Sequence, residues 1–189
     1  MVKLALSRGQ IETTAIMTIS RAFLLRVPSG ALPLQWRGRH STISLLDDVA
    51  TITLARRKNS LTPVAASRKC TCDAAPPLLC AVHWLQRLHE AGPYSDQRLF
   101  AITKNGFATA IKTLAKDVGF PDAEYVGTHS FRRGMAQNVL DNGGTLATLL
   151  KAGDWNSKAF QVYLRDTQLQ DTAVSNLVIS ISDSEDEDI

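Results

Sequence analysis

The segment Gly127-Thr-His-Ser-Phe-Arg-Arg-Gly-Met-Ala136 decides the fold. Thr128 or Ser130 offers a hydroxyl to cap a helix beginning here. Apolar groups continue at Phe131, Met135, Ala136, Val139 and Leu140, and Asn142-Gly143-Gly144 closes the run. His129 and Arg132 lie three apart, so on a helix they share one face. A second informative segment follows, Gly153-Asp-Trp-Asn-Ser-Lys-Ala-Phe-Gln-Val-Tyr-Leu-Arg165, read as a helix from about Ser157 to Asp166. A short helix over roughly Leu146 to Ala152 joins the two.

Working towards the N-terminus, Phe107, Ile111, Leu114, Ala115 and Val118 mark a helix with Thr103 or Asn105 near its start and Gly119 at its end. Leu78 to Ala91 reads as a helix stopped by Gly92-Pro93. Before it stand three β-branched stretches: Ser41 to Leu46, Val49 to Ala55, and Thr62 to Ala66. Asp47-Asp48 suits a turn between the first two, and Pro63 confines the third to an edge. Ile11, Ala15, Ile16, Ile19, Ala22, Phe23 and Val27 have helical spacing with one buried face, broken at Pro28. The layout predicts an α+β chain, mainly helical, with a small three-stranded antiparallel sheet packed with a helical bundle.

A chain of 189 residues is about one domain, and 44% hydrophobic residues suffice for a core. No apolar run approaches the roughly 18 residues of a membrane span. Met1 to Gln10 has no long apolar stretch after its basic residues, so no secretory signal is expected and the protein is read as intracellular, nuclear if eukaryotic. The net charge of +3 hides an asymmetry. Five acids fall in the last seven residues, and setting them aside leaves 21 basic against 13 acidic side chains. A basic body suits a polyanion. Residues 179–189 read as an acidic, disordered tail.

All three cysteines lie between residues 70 and 80. Cys70-x-Cys72 and Cys80-x-x-His83 supply three thiolates and an imidazole, a normal tetrahedral zinc set. Such a zinc is structural, since four protein ligands leave no open position for water. Free thiols in a loop are the plainer account.

The order His-x-x-Arg, Gly-x-Trp, then Tyr eight residues beyond the Trp resembles the second signature box of the tyrosine recombinases, or phage-integrase family. Phe23-Leu-Leu-Arg-Val-Pro-Ser-Gly-Ala31 looks like the family's first arginine box, and Lys58 follows the second strand as the family's hairpin lysine does. The resemblance covers about residues 11 to 166. It implies a catalytic set of Arg26, Lys58, His129, Arg132, Trp155 and Tyr163, and a DNA breaking-rejoining domain over residues 1–178, within which the cysteine spacing separately marks a candidate zinc loop at 70–83. It implies recombination or integration through a 3′-phosphotyrosine intermediate, with no cofactor required for catalysis. The implied partners are double-stranded DNA and further copies of the chain, gathered on DNA and trading C-terminal segments such as 167–181. Members usually carry an N-terminal DNA-clasping domain, for which there is no room before residue 11.

Two guanidiniums, Arg26 and Arg132, can hold the non-bridging oxygens of a phosphodiester. Tyr163 supplies a nucleophile that loses its proton among cations. His129 is suited to moving that proton, Lys58 to protonating the departing 5′-oxygen, and Trp155 to donating its indole N–H to a phosphate oxygen. Each residue also has a plainer account: Arg26 complementing a helix dipole, Arg56 or Arg57 rather than Lys58 facing DNA, His129 as a cap, Trp155 as core, Tyr163 as a buried aromatic. Tyr94 and Tyr125 are weaker nucleophile candidates, and Arg133 is one position out of spacing. The family often places an acid three or four positions after the first arginine; Ser29 and Gly30 stand there. A catalytically inactive, recombinase-derived DNA-binding module is therefore a competing reading, and a zinc-stabilised protein-interaction domain is a third.

Overall fold

Around a helix that is buried from all sides the rest of the chain is assembled. In the computed structural model, which describes residues 1–56, 62–72, 78–92 and 96–153, this helix is α2 (Ile11–Ala22). Every residue from Thr13 to Ser20 is buried, not only the apolar face the spacing predicts. Thr14 Oγ1 donates to the Gln10 carbonyl at 2.8 Å and Thr18 Oγ1 reaches the Leu78 carbonyl at 3.5 Å, while Ser20 Oγ is buried without a hydrogen-bond partner among the described residues. A buried hydroxyl left unpaired costs about 1–3 kcal/mol.

Packed on α2 are α1 (Val2–Ser7), α3 (Ala81–Ala91), α4 (Lys104–Asp117) and α5 (Ser130–Asp141). A short α6 (Leu146–Gly153) rests on α5. The α1 helix was not anticipated: six residues with no side-chain cap give periodicity too little length to register. Glu12, in the first turn of α2, accepts the Ala101 and Ile102 amides at 2.8 and 3.0 Å and so fixes the approach to α4. Thr103 caps α4, accepting from the Gly106 amide at 3.1 Å.

The sheet has the order β1-β2-β3, antiparallel throughout, with β1 Ser41–Leu46, β2 Val49–Leu54 and β3 Val64–Lys69. Leu46 pairs with Val49 across a two-residue turn in which Asp47 is left-handed (φ 50°). Ile43, Ile52 and Ala66 share one rung, and their face looks onto the core. The third strand is displaced from the expected Thr62 to Ala66. Pro63 cannot donate to a ladder and stays outside, while pairing with β2 carries the strand on to Lys69, opposite Val49.

Three helix boundaries also differ from expectation. Helix α3 starts at Ala81 rather than Leu78, with Cys80 at its N-cap. Neither Thr128 nor Ser130 caps α5; His129 holds the N-cap position without a capping bond, and Ser130 Oγ accepts from the Gly127 amide at 3.0 Å. Helix α2 ends at Ala22, well before Pro28, because Leu24 adopts the left-handed conformation (φ 52°). Pro28 sits instead in a π turn, Val27–Ala31, near whose start its missing N–H does no harm.

The left-handed residue divides two apolar clusters. Phe23, Leu25 and Val27 enter the main core with Ile16, Ile19, Ile52, Leu85, Phe107 and Leu114. Leu24 alone turns the other way, joining Ala136 and Leu149 in a small second cluster between α5 and α6. A left-handed leucine costs roughly 1–2 kcal/mol, so the packing on both sides must hold it there. The Leu24→Ala variant should therefore lose about 2–4 kcal/mol of unfolding free energy. Leu46→Ala, at a position 72% exposed, should stay within ~0.5 kcal/mol. Urea denaturation of both variants measures the difference; equal losses contradict the two-cluster account.

Candidate functional site

Immediately after Leu24 the chain delivers Arg26. Its carbonyl accepts the Gly30 amide at 2.7 Å and the Ala31 amide at 3.2 Å, which closes the π turn. A Cβ at Gly30 would lie 3.3 Å from Leu25 Cβ, a tight contact that the neighbouring side chain would have to relieve. Arg26 and Gly30 then line one pocket together with Leu25, Ser29, Leu54, Arg56 and Arg132. The pocket holds about 330 Å³, mouth included, ample for a phosphate-sized anion. Three of its seven described lining residues are arginines and none is acidic.

The arginines arrive from three elements: Arg26 from the turn after α2, Arg56 from the end of β2, and Arg132 from the first turn of α5. Arg132 is buried, 3% exposed, and its Nη2 donates to the Gly153 carbonyl at 2.7 Å. Gly153 is the last described residue of α6. Arg56 is exposed and reaches the pocket from its rim.

Of the six residues the sequence singles out, two, Arg26 and Arg132, share this pocket. His129 is exposed at the N-cap of α5, one turn before Arg132, and is not among the described lining residues. Lys58, Trp155 and Tyr163 lie outside the described residues, as do Arg57, Tyr94, the expected helix over 157–166, the segment 167–181 and the acidic tail. Tyr125 is 80% exposed in a 3₁₀ turn, Ala123–Tyr125, away from the pocket lining. Arg133 is exposed and does not line the pocket either. Ser29 and Gly30, where the family often has an acid, are themselves part of the lining.

Sequence reasoning missed Arg68. The register puts it on the inner face of β3, on the rung of Leu45 and Ala50. Its guanidinium lies 5.4 Å from the Phe23 ring centroid. Nε donates to the Ala22 carbonyl at 2.7 Å, and Nη2 reaches the Ala152 carbonyl at 3.5 Å. One planar fork thus spans the carbonyl ends of α2 and α6, the elements that lead to Arg26 and that receive Arg132. Burial pulls the Arg68 pKa below the usual arginine value, but the group stays cationic at neutral pH. The available signal was an arginine at an inward position of an edge strand, legible only once the register is known.

The four residues of the cysteine cluster also converge. The ligand atoms of Cys70, Cys72, Cys80 and His83 all lie within 4.8 Å of one another. Cys70 Sγ is 3.8 Å from Cys80 Sγ and 3.9 Å from His83 Nδ1, and it accepts the Cys72 amide at 3.4 Å. That amide bond holds the Cys70 thiol below its ordinary pKa. Loss of water and the neighbouring thiols push Cys72 up to about 12. A bound cation reverses the second effect, because coordinated thiols deprotonate.

No protein-family model and no curated protein matches the sequence. Solved structures do match the fold, which is tyrosine-recombinase catalytic-domain-like. One is the XerH site-specific recombinase bound to its difH substrate in a pre-cleavage complex (TM-score 0.60, 17% identity, 82% of this chain and 42% of that one). Another is XerH on a palindromic difH substrate in a post-cleavage complex (TM-score 0.62, 16% identity, 89% of this chain and 45% of that one). The chain spans less than half the length of these proteins.

Arg68 makes a direct prediction. Arg68→Ala should speed amide hydrogen exchange selectively in the Leu25–Ala31 turn and in α6, leaving α4 protected, with a stability loss of about 1–3 kcal/mol. Arg68→Lys, a point charge that cannot fork, should restore only part of the protection. Uniform deprotection, or none, contradicts the bridging role.

Proposed function

We propose that this chain is a DNA strand-cleavage and rejoining domain acting in site-specific recombination or integration through a 3′-phosphotyrosine bond. The observation that carries the reading is the pocket in which Arg26, Arg56 and Arg132 meet with no acidic residue among its described lining. Three guanidiniums in one place repel one another. They suit an anionic ligand with more than one accepting oxygen, such as a phosphodiester with its two non-bridging oxygens. The tyrosine-recombinase-like fold supports the same partner, since the XerH structures it resembles are DNA complexes.

On this reading Arg26 and Arg132 clamp the non-bridging oxygens and stabilise the charge that grows on them in the pentavalent transition state. In this mechanism Tyr163 Oη attacks phosphorus as its proton passes to His129. The P–O5′ bond breaks, and Lys58 protonates the departing 5′-oxygen. Trp155 donates its indole N–H to a phosphate oxygen. Attack by a 5′-hydroxyl of another strand reverses the sequence and releases the tyrosine, so no cofactor is consumed. Exchange between duplexes needs several copies of the chain on paired DNA, hence a homo-oligomer formed on its sites.

Ser29 and Gly30 favour a second reading. Both line the pocket, and neither supplies the carboxylate that would orient Arg26. A domain that grips the DNA backbone without cutting it fits that departure.

The two separate on a randomised library of nicked duplex DNA, on which cleavage beside the nick releases a short strand that carries the 5′-hydroxyl away and so prevents religation. The native chain should form a covalent protein–DNA adduct, and Tyr163→Phe should form none while Tyr125→Phe remains competent. Arg132→Ala should slow adduct formation by roughly 10²–10³-fold, the usual loss when one transition-state donor is removed. Binding without any adduct selects the second reading; an adduct that survives Tyr163→Phe overturns the nucleophile.

A further inference from the structure

The geometry points to a structural zinc ion held by Cys70, Cys72, Cys80 and His83, which fastens the end of β3 to the start of α3. This site does not touch the arginine pocket and stands or falls independently of strand cleavage. Four borderline-soft ligand atoms, three sulfurs and one imidazole nitrogen, lie within 4.8 Å of one another. A tetrahedron with Zn–S bonds of about 2.3 Å has sulfur–sulfur edges of about 3.8 Å. Cys70 and Cys80 have their sulfurs 3.8 Å apart. The Cys70 to His83 Nδ1 separation of 3.9 Å needs only a few tenths of an ångström of adjustment. All three cysteines are free thiols, and all four side chains are half-buried rather than splayed into solvent.

The placement gives the metal something to do. Cys70 directly follows Lys69, the last residue of β3, and its amide donates to the Asp48 carbonyl at 2.7 Å. Cys80 is the N-cap of α3, and His83 lies in that helix's first turn. No residue of β3 is fully buried, so apolar packing anchors this strand weakly. Helix α3, by contrast, buries Ala81, Val82, Trp84 and Leu85 against the main core. A metal spanning the two transfers the rigidity of α3 to the strand that carries Arg68. Four protein ligands saturate the ion, so it is structural rather than catalytic, and its binding energy adds to that of folding.

The test uses the full chain, purified after expression with zinc and dialysed against metal-free buffer. Mass spectrometry of the metal content should find about one zinc per chain, as a single four-ligand site requires. Cobalt(II) exchanged into the site should give the intense visible bands of a tetrahedral ion and a thiolate-to-cobalt charge-transfer band. His83→Ala should lose the metal and His83→Cys should keep it. Removal of zinc from the native chain by a strong chelator should lower the melting temperature and speed hydrogen exchange in β3 and the first turn of α3. A folded native chain without stoichiometric zinc overturns the proposal, as does iron in its place or a Cys70–Cys80 disulfide without metal. Undiminished zinc in both His83→Ala and Cys80→Ala overturns it too. Should the alanine variants fail to fold, the native cobalt spectrum decides: a weak octahedral pattern overturns the site.

Discussion

The left-handed turn at Leu24 is the constraint on which the remaining architecture depends. A helix running on through residues 23 to 27 would send Leu24 and Arg26 to directions fixed by a 100° rotation per residue. The break instead gives three consecutive side chains three destinations: Leu24 the α5–α6 cluster, Leu25 the main core, and Arg26 the pocket. Leucine is poorly suited to φ 52°. A glycine would relieve the backbone but forfeit the link to Ala136 and Leu149. The strain is thus tolerated because the same residue joins the two halves of the site.

The sheet contributes to the same end through its weakest member. Strand β3 buries none of its residues completely, yet its inward Arg68 reaches carbonyl groups at the ends of both α2 and α6. An inward-pointing charge is a common way of protecting an edge strand from pairing with another chain. Here the charge also bridges the two elements that flank the arginine pocket. The rigidity of β3 then matters out of proportion to its packing, and the four convergent metal-type ligands lie directly at its end.

Much of this was legible in the residues. The alternation of Ile52 and Leu54 with threonines gave β2, and Asp47-Asp48 its turn. Of the two residues expected near the start of α4, Thr103 is its N-cap and Asn105 lies inside the helix. The Cys-x-Cys and Cys-x-x-His spacings identified four atoms that do converge. Other features needed tertiary information. Nothing local distinguishes Leu24 from its neighbours as the residue that leaves the helix. Pro28 looked like a helix stop because a π turn has no sequence rule of its own. The strand β3 was placed two residues early because its extent is set by its partner rather than by its own β-branched content. Arg68 was hidden for the same reason: a side chain's face on a strand follows from register, which is a property of the pair, whereas Arg56, weighed in the sequence as an alternative to Lys58, does line the pocket. Of the catalytic set, spacing alone connected His129 to Arg132, but the N-cap position leaves His129 exposed while Arg132 is buried.

The electrostatics of the pocket bear on whether binding there becomes catalysis. A buried guanidinium is costly unless its donors are met, and Arg132 donates to the Gly153 carbonyl, which lowers the cost without neutralising the charge. A carboxylate beside Arg26 would fix that guanidinium more firmly, yet it would also cancel part of the field a phosphate sees. With Ser29 and Gly30 in that place, what is fixed is the backbone, through the Gly30 and Ala31 amides on the Arg26 carbonyl, while the guanidinium keeps its full charge. Such a pocket offers an anion a strong field but leaves the Arg26 guanidinium without a carboxylate to orient it. Only interactions that strengthen towards the transition state accelerate a reaction, and they require donors held to within fractions of an ångström. On the proposed cleavage reading, the orientation of Arg26 rests on how well the Arg68 bridge, rather than an adjacent acid, holds the turn that carries it.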